Sequence, residues 1–197
     1  MEELVFVNAL FNTHVHFRQG DVCKTVVPYT SRIFQYAGVQ GNLKNNEVVT
    51  VERARVYREE IKAAAPESNF DPRFFLYLTE ETSKEEIDRV ADNRDLMLGV
   101  KMYQRGASGT TGSSRGIRDP KTVYPIFEHM EKRGVPVLIH AEDPNEGVDH
   151  FDRELFFLDR HLVDIVSTFP AEDISVAHVS TEENGPIHSE PEQACDG

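Results

Sequence analysis

The chain has 197 residues, enough for one domain with a sizeable core, and its 39% hydrophobic and 28% charged content is ordinary for a soluble globular fold. Acidic side chains number 34 against 21 basic ones, and the net charge of −13 argues against a non-specific binder of nucleic acid or membrane surfaces. Two cysteines, Cys23 and Cys195, form neither a disulfide framework nor a zinc knuckle, the start Met1-Glu2-Glu3 lacks a basic leader, and no apolar run would span a membrane. These features point to a reducing, cytoplasmic compartment.

Strand-like and helix-like segments alternate, which predicts an α/β fold with a parallel sheet. Leu4–Phe11 is apolar and leads into His14-Val15-His16. Helix signals follow over residues 22–35, with Pro28 inside them, and Ala37–Gln40 is a short candidate strand. Thr50 is placed to cap a helix with an apolar stripe of Val51, Ala54, Ile61 and Ala65. Phe74–Leu78 reads as a strand. Ser83 and Glu86 have capping-box spacing for a helix that turns Ile87, Val90 and Ala91 inward.

Leu96–Met102 is a strand carrying Lys101. Asp119-Pro120 opens a helix that Gly134 ends, and Pro125 perturbs its first turns. Val135–Ile139 is a strand ending at His140. Phe151, Leu155, Leu158, Leu162, Ile165 and Phe169 recur at helical spacing, and Ile174–Ala177 is a strand ending at His178. Six strand–helix steps are thus expected where a closed barrel has eight. The expected organisation is a partial hydrolase barrel over 1–182 and a disordered tail over 183–197, which is rich in Glu, Pro, Gly and Ser.

The chemistry-bearing residues fall at strand ends. Alternate side chains share a strand face, so His14 and His16 point the same way. Taken alone, the pair fits either two ligands of one metal or two incidental histidines. Lys101 closes an apolar strand, where an amine is costly unless it is paired or chemically changed. Taken alone it fits a side chain reaching the barrel mouth, or an amine that adds carbon dioxide and becomes a bridging carbamate. His140 and His178 each end a strand, and imidazole suits zinc. Jointly, five such residues at one barrel mouth favour a two-metal centre.

These residues carry a family resemblance. His14-Val15-His16-Phe17-Arg18-Gln19-Gly20-Asp21, Gly41-Asn42-Leu43, Val100-Lys101-Met102-Tyr103, Val137-Leu138-Ile139-His140-Ala141-Glu142 and Ala177-His178-Val179-Ser180-Thr181 resemble the compact bacterial-type dihydroorotases, in order over roughly residues 8–183. The resemblance implies an amidohydrolase-type TIM barrel, incomplete here, that interconverts N-carbamoyl-L-aspartate and dihydroorotate in pyrimidine biosynthesis. It implies two zinc ions, one on His14 and His16 and one on His140 and His178, bridged by Lys101 carrying a carbon dioxide adduct. Arg18 and Asn42 match the residues that bind the substrate carboxylate.

Three departures touch no ligand: Asn12-Thr13 for Asp-Trp, Gln40-Gly41 for Met-Pro, and Ala141 for Gly in His-Gly-Glu. A fourth is larger. The family's strand eight supplies an aspartate that binds metal and shuttles a proton, and no residue after His178 matches it. Two functions are therefore expected in competition: a dihydroorotase, or a truncated relative of low activity acting as a partner or regulatory subunit. An open barrel leaves its first and last strands as unpaired edges, which predicts self-association or a covering partner. Gly106–Gly116 lacks the lysine of a phosphate-binding loop. Glu142 and Asp143 fit equally as partners of His140 or as solvated loop acids.

Overall fold

The computed structural model describes residues 10–107 and 115–181. The tail beyond residue 181, Cys195 within it, the start of the first apolar run and most of the glycine-rich loop lie outside the described residues. Six strands, β1 (Phe11–Val15), β2 (Tyr36–Val39), β3 (Asp71–Tyr77), β4 (Met97–Met102), β5 (Val137–His140) and β6 (Ile174–Ala177), form one sheet in the order β1-β2-β3-β4-β5-β6. Every neighbouring pair is parallel, as expected when each strand is followed by a crossover helix. This is an incomplete (β/α) barrel wall of six strands.

Two glycines set how closely neighbouring strands approach. A Cβ on Gly38 would stand 2.5 Å from the carbonyl oxygen of Thr13, and one on Gly99 would stand 2.3 Å from that of Pro136. Only glycine lets β1 close on β2, and β4 on β5, at those points.

The helices α1 (Gly20–Ser31), α2 (Val51–Ala63), α3 (Lys84–Asp92) and α4 (Tyr124–Arg133) follow the first, second, third and fourth strands. α1 runs through Pro28 and ends at Ser31, short of the expected 35. Thr50 caps α2 by accepting from the Arg53 amide at 3.1 Å. The expected capping box at α3 is half formed. Ser83 accepts from the Glu86 amide at 3.3 Å, but the Glu86 carboxylate reaches instead to the Val51 amide, at 2.7 Å, and to Arg89, at 2.6 Å. A buried carboxylate is better satisfied by an orphan helix amide and a guanidinium than by its own helix start. Asp119 caps a 3₁₀ turn, Pro120–Val123, which runs into α4 and leaves Pro125 in its first turn; Gly134 ends α4 in left-handed conformation.

The last helical stretch differs most from expectation. α5 (Arg153–Phe157), a π-helical turn (Leu158–Leu162) and α6 (Val163–Thr168) run on from one another. Phe151 lies outside the helix and is 87% exposed, and Leu155 is exposed too. Glu154 and Phe157 are buried in their stead, followed by Leu158, Leu162 and Ile165. The wider turn inserts one residue, which rotates the preceding face by about 100° relative to an uninterrupted α-helix.

The core gathers Val39, Phe74, Leu76, Val100 and Ile139 from the strands with Val27, Ala54, Ile61, Ile87, Val90, Phe127 and Ile165 from the helices. No helix among the described residues is long and apolar enough to cross a membrane.

Candidate metal centre

His14 lies within β1 and His16 just beyond it. Their Nε2 atoms are 3.2 Å apart and their ring centroids 5.1 Å. The His14 centroid is 4.6 Å from that of His178, which follows β6, and the His178 centroid is 5.2 Å from that of His140, the last residue of β5. The row continues in aromatic side chains. Tyr103 lies 5.1 Å from His140, and Tyr77 stacks on Tyr103 at 5.4 Å and an interplanar angle of 21°. Four imidazoles from three strands thus form a continuous arc along the C-terminal rim of the sheet.

Lys101 stands inside that arc on β4. It is fully buried, its Nζ has no hydrogen-bond partner among the described residues, and the nitrogen sits 5.1 Å from the centre of the Tyr103 ring. Burial pulls its pKa from 10.5 down to about 7. The imidazoles respond to the same environment. Burial, then the charge of Lys101, push His14 down to about 3, and burial, then the charge of Arg18, push His16 down to about 4, against a hydrogen bond with Asn42. His178 is also lowered, by burial and then by Lys101 and His140. Near neutral pH these rings are uncharged bases, the form in which imidazole binds a cation.

Among the described residues no three or more His, Cys, Asp or Glu side chains are grouped so as to hold a metal ion. The imidazoles meet side by side along a row, and the amine among them is not a ligand until it is deprotonated or modified. The donor chemistry fits divalent cations: His14, His16 and His178, all of lowered basicity, lie near a buried amine that has no partner among the described residues and is itself of depressed basicity.

The other expected site residues are placed as follows. Arg18 has a left-handed backbone, with φ of 60°, and its carbonyl oxygen accepts from the Tyr57 hydroxyl at 2.6 Å. One of its guanidinium nitrogens, Nη1, is buried without a partner among the described residues. Asn42 is buried and bonded to His16. His178 also has a left-handed backbone, with φ of 63°. Only three non-glycine residues among those described have positive φ, and two of them are Arg18 and His178. Such strain concentrates where a site over-determines the backbone.

No protein-family model matches the chain. In sequence it is 44% identical over 171 residues to a dihydroorotase of Alcanivorax borkumensis, which covers 86% of this chain and 48% of that protein. In structure it is similar to dihydroorotase from Campylobacter jejuni, with a TM-score of 0.76 and 24% identity over 88% of this chain and 49% of the other. It is also similar to dihydroorotase from Saccharomyces cerevisiae in complex with 5-fluoroorotic acid, with a TM-score of 0.75 and 26% identity over 89% and 49%. The chain is a homologue of the dihydroorotases. It spans about half the length of the curated relatives it matches.

Sequence reasoning weighed Glu142 and Asp143 beside this centre and missed Glu154. Glu142 accepts from His140 Nε2 at 2.9 Å, so the choice between partner and solvated acid falls to partner; Arg153 donates to its other oxygen, also at 2.9 Å. Asp143 fits neither alternative: it is fully buried and pairs with Arg160 at 2.9 Å. Glu154 receives hydrogen bonds from the Ser180 and Thr181 segment that follows His178. Tyr103 was legible only as part of the Val100-Lys101-Met102-Tyr103 match and by its place two residues after Lys101, where a strand face repeats.

Proposed function

We propose that this chain forms the metal-binding wall of a dihydroorotase and takes part in interconverting N-carbamoyl-L-aspartate and dihydroorotate, a cyclic amide, in pyrimidine biosynthesis. One observation carries this reading: a fully buried lysine amine, without a hydrogen-bond partner among the described residues, lies within electrostatic reach of His14, His16 and His178. A structural lysine would find a carboxylate or a carbonyl oxygen. An amine near neutrality is instead a nucleophile for carbon dioxide, and the carbamate so formed is an anion suited to bridging two cations. His14 and His16 would hold one zinc ion, His140 and His178 the other, and Lys101 both. Two such cations supply an acidified water near neutral pH and a polarised amide carbonyl.

The chain's own residues have separate tasks in this reading. Arg18 presents a planar guanidinium with an unused, buried N–H, suited to a substrate carboxylate. Asn42 orients His16 and offers its amide to the same carboxylate. Tyr103 and Tyr77 form an aromatic floor that keeps water from Lys101.

A second reading is favoured by the exposure of His178. In it the wall binds zinc but turns over weakly, and serves as a partner or regulatory subunit. Zinc per chain and dihydroorotate hydrolysis, measured for the chain and for His140→Ala, separate the two. Turnover that the substitution abolishes supports the first, and zinc without turnover the second. No zinc in either protein overturns both. Intact mass under gentle conditions tests the Lys101 adduct, which adds one carbon dioxide.

A further inference from the structure

We propose that Arg153 and Glu154, adjacent residues in the first turn of α5, are positioning residues that set His140 and His178 together; the proposal deepens the reading of these histidines as a metal-holding pair. The two imidazoles stand on different strands, and neither is fixed by its strand alone. His140 ends β5, and His178 lies beyond β6 in a left-handed conformation.

Arg153 Nη1 donates to Glu142 Oε1 at 2.9 Å, and Glu142 Oε2 accepts from His140 Nε2 at 2.9 Å. That chain of contacts engages Nε2 and leaves Nδ1 as the ring nitrogen for a cation; Nδ1 is buried without a partner among the described residues. Glu154 works on the other ring through the backbone. Its Oε1 accepts from the Ser180 amide at 3.0 Å, from the Thr181 amide at 3.2 Å and from the Thr181 hydroxyl at 3.1 Å. Its Oε2 accepts from the Ser180 amide at 3.0 Å and from the Ser180 hydroxyl. Two successive amides pinned by one buried carboxylate hold the corner just after His178, where the left-handed backbone would otherwise relax.

The π-helical turn makes this possible, because it turns Glu154 inward where a continuous helix would present Leu155. π turns recur at functional sites for this kind of reason. Arg153, Glu142 and Glu154 line one cavity of about 360 Å³ with His140 and His178. One helix turn therefore couples the two ligands of a single cation site, as outer carboxylates orient metal-bound histidines.

The test uses the full chain and two variants, Glu154→Gln and Arg153→Met, with zinc as the probe. In the zinc-free protein, histidine-ring nitrogen–proton spectra are expected to move for His178 in Glu154→Gln and for His140 in Arg153→Met, with His16 unmoved in both. Zinc affinity is expected to fall 10- to 100-fold in either variant. Should Glu154→Gln fail to fold, Thr181→Val removes one accepted bond and is expected to move the His178 signal in the same direction. Unmoved ring signals in folded variants overturn the proposal, whether or not zinc binds. Absence of zinc from the unsubstituted chain overturns the metal reading instead, and the ring signals still decide the positioning.

Discussion

The ring of His14 lies 4.6 Å from the ring of His178, although their strands stand at opposite edges of the sheet. The sheet therefore curls far enough for its first and last strands to meet at their C-terminal ends. Below that contact the edges diverge around a cleft of about 610 Å³, lined by Phe11 and Thr13 on one side and Asp173, Ser175 and Ala177 on the other. A cation held at the rim would tie the two edges together.

Zinc is accordingly expected to stabilise the fold and not merely to occupy it. At a free concentration of 100 times its dissociation constant, a ligand of the folded state adds about 2.7 kcal/mol. The melting temperature should rise with zinc, return on chelation, and respond less in His178→Ala. Thermal denaturation over a zinc series checks this, and an unchanged midpoint would refute it.

Acid should weaken the zinc-free fold. His14 and His16 titrate near 3 and 4 in the folded chain against 6.5 unfolded, so the unfolded chain takes up protons first. Their contribution is complete above pH 6.5 and is lost as pH falls through that window. Lys101 acts in the same sense at higher pH, with its contribution complete above 10.5 and lost on descent towards about 7. Glu172 acts in the opposite sense. Burial, then Glu131 and Asp173, raise its pKa from 4.5 to about 8, so its contribution holds below 4.5 and is lost as pH rises through 8. Urea unfolding of Glu172→Gln should show a gain over the unsubstituted chain that is absent at pH 4, grows between 4.5 and 8, and then levels off. A gain independent of pH would rule this out.

The expected sequence–structure agreement is strongest where burial is two-sided. Parallel strands covered on both faces read as short apolar runs, and β3, β4 and β5 lie within a few residues of those runs; β6 matches its run too, although as an edge strand it leaves Ser175 exposed. The imidazoles and Lys101 were legible because each terminates or closes such a run. Glu154 was not, because its partners are 26 and 27 residues away and its inward direction depends on a turn with no periodic signature. The regular spacing of Phe151 and Leu155 pointed to the wrong face for the same reason.

Gly99→Ala should damage both stability and site. The new methyl would stand 2.3 Å from the Pro136 carbonyl, on backbone that cannot swing aside. Overpacking of this kind costs about 1–3 kcal/mol. Because Lys101 and His140 sit on the two strands forced apart, zinc affinity should fall along with the denaturation midpoint. A variant with native midpoint and affinity would show that the strands separate freely.

The edges predict association. Among the described residues neither β1 nor β6 has a second strand neighbour, and Leu10 and Phe11 are exposed at the first edge. Unpaired strand backbone beside apolar side chains templates further pairing. The isolated chain is expected to elute as an oligomer, and Leu10→Lys to shift it towards the monomer. A sharp monomer peak with a cooperative melt in the unsubstituted chain would contradict this.

The widened turn at Leu158–Leu162 carries a consequence for anyone engineering this protein. Helix-favouring substitutions that straightened it with every residue kept would yield a more regular helix, with Leu155 facing the core and Glu154 facing water. Such an edit would look like an improvement by every local criterion while uncoupling the two imidazoles it never touches.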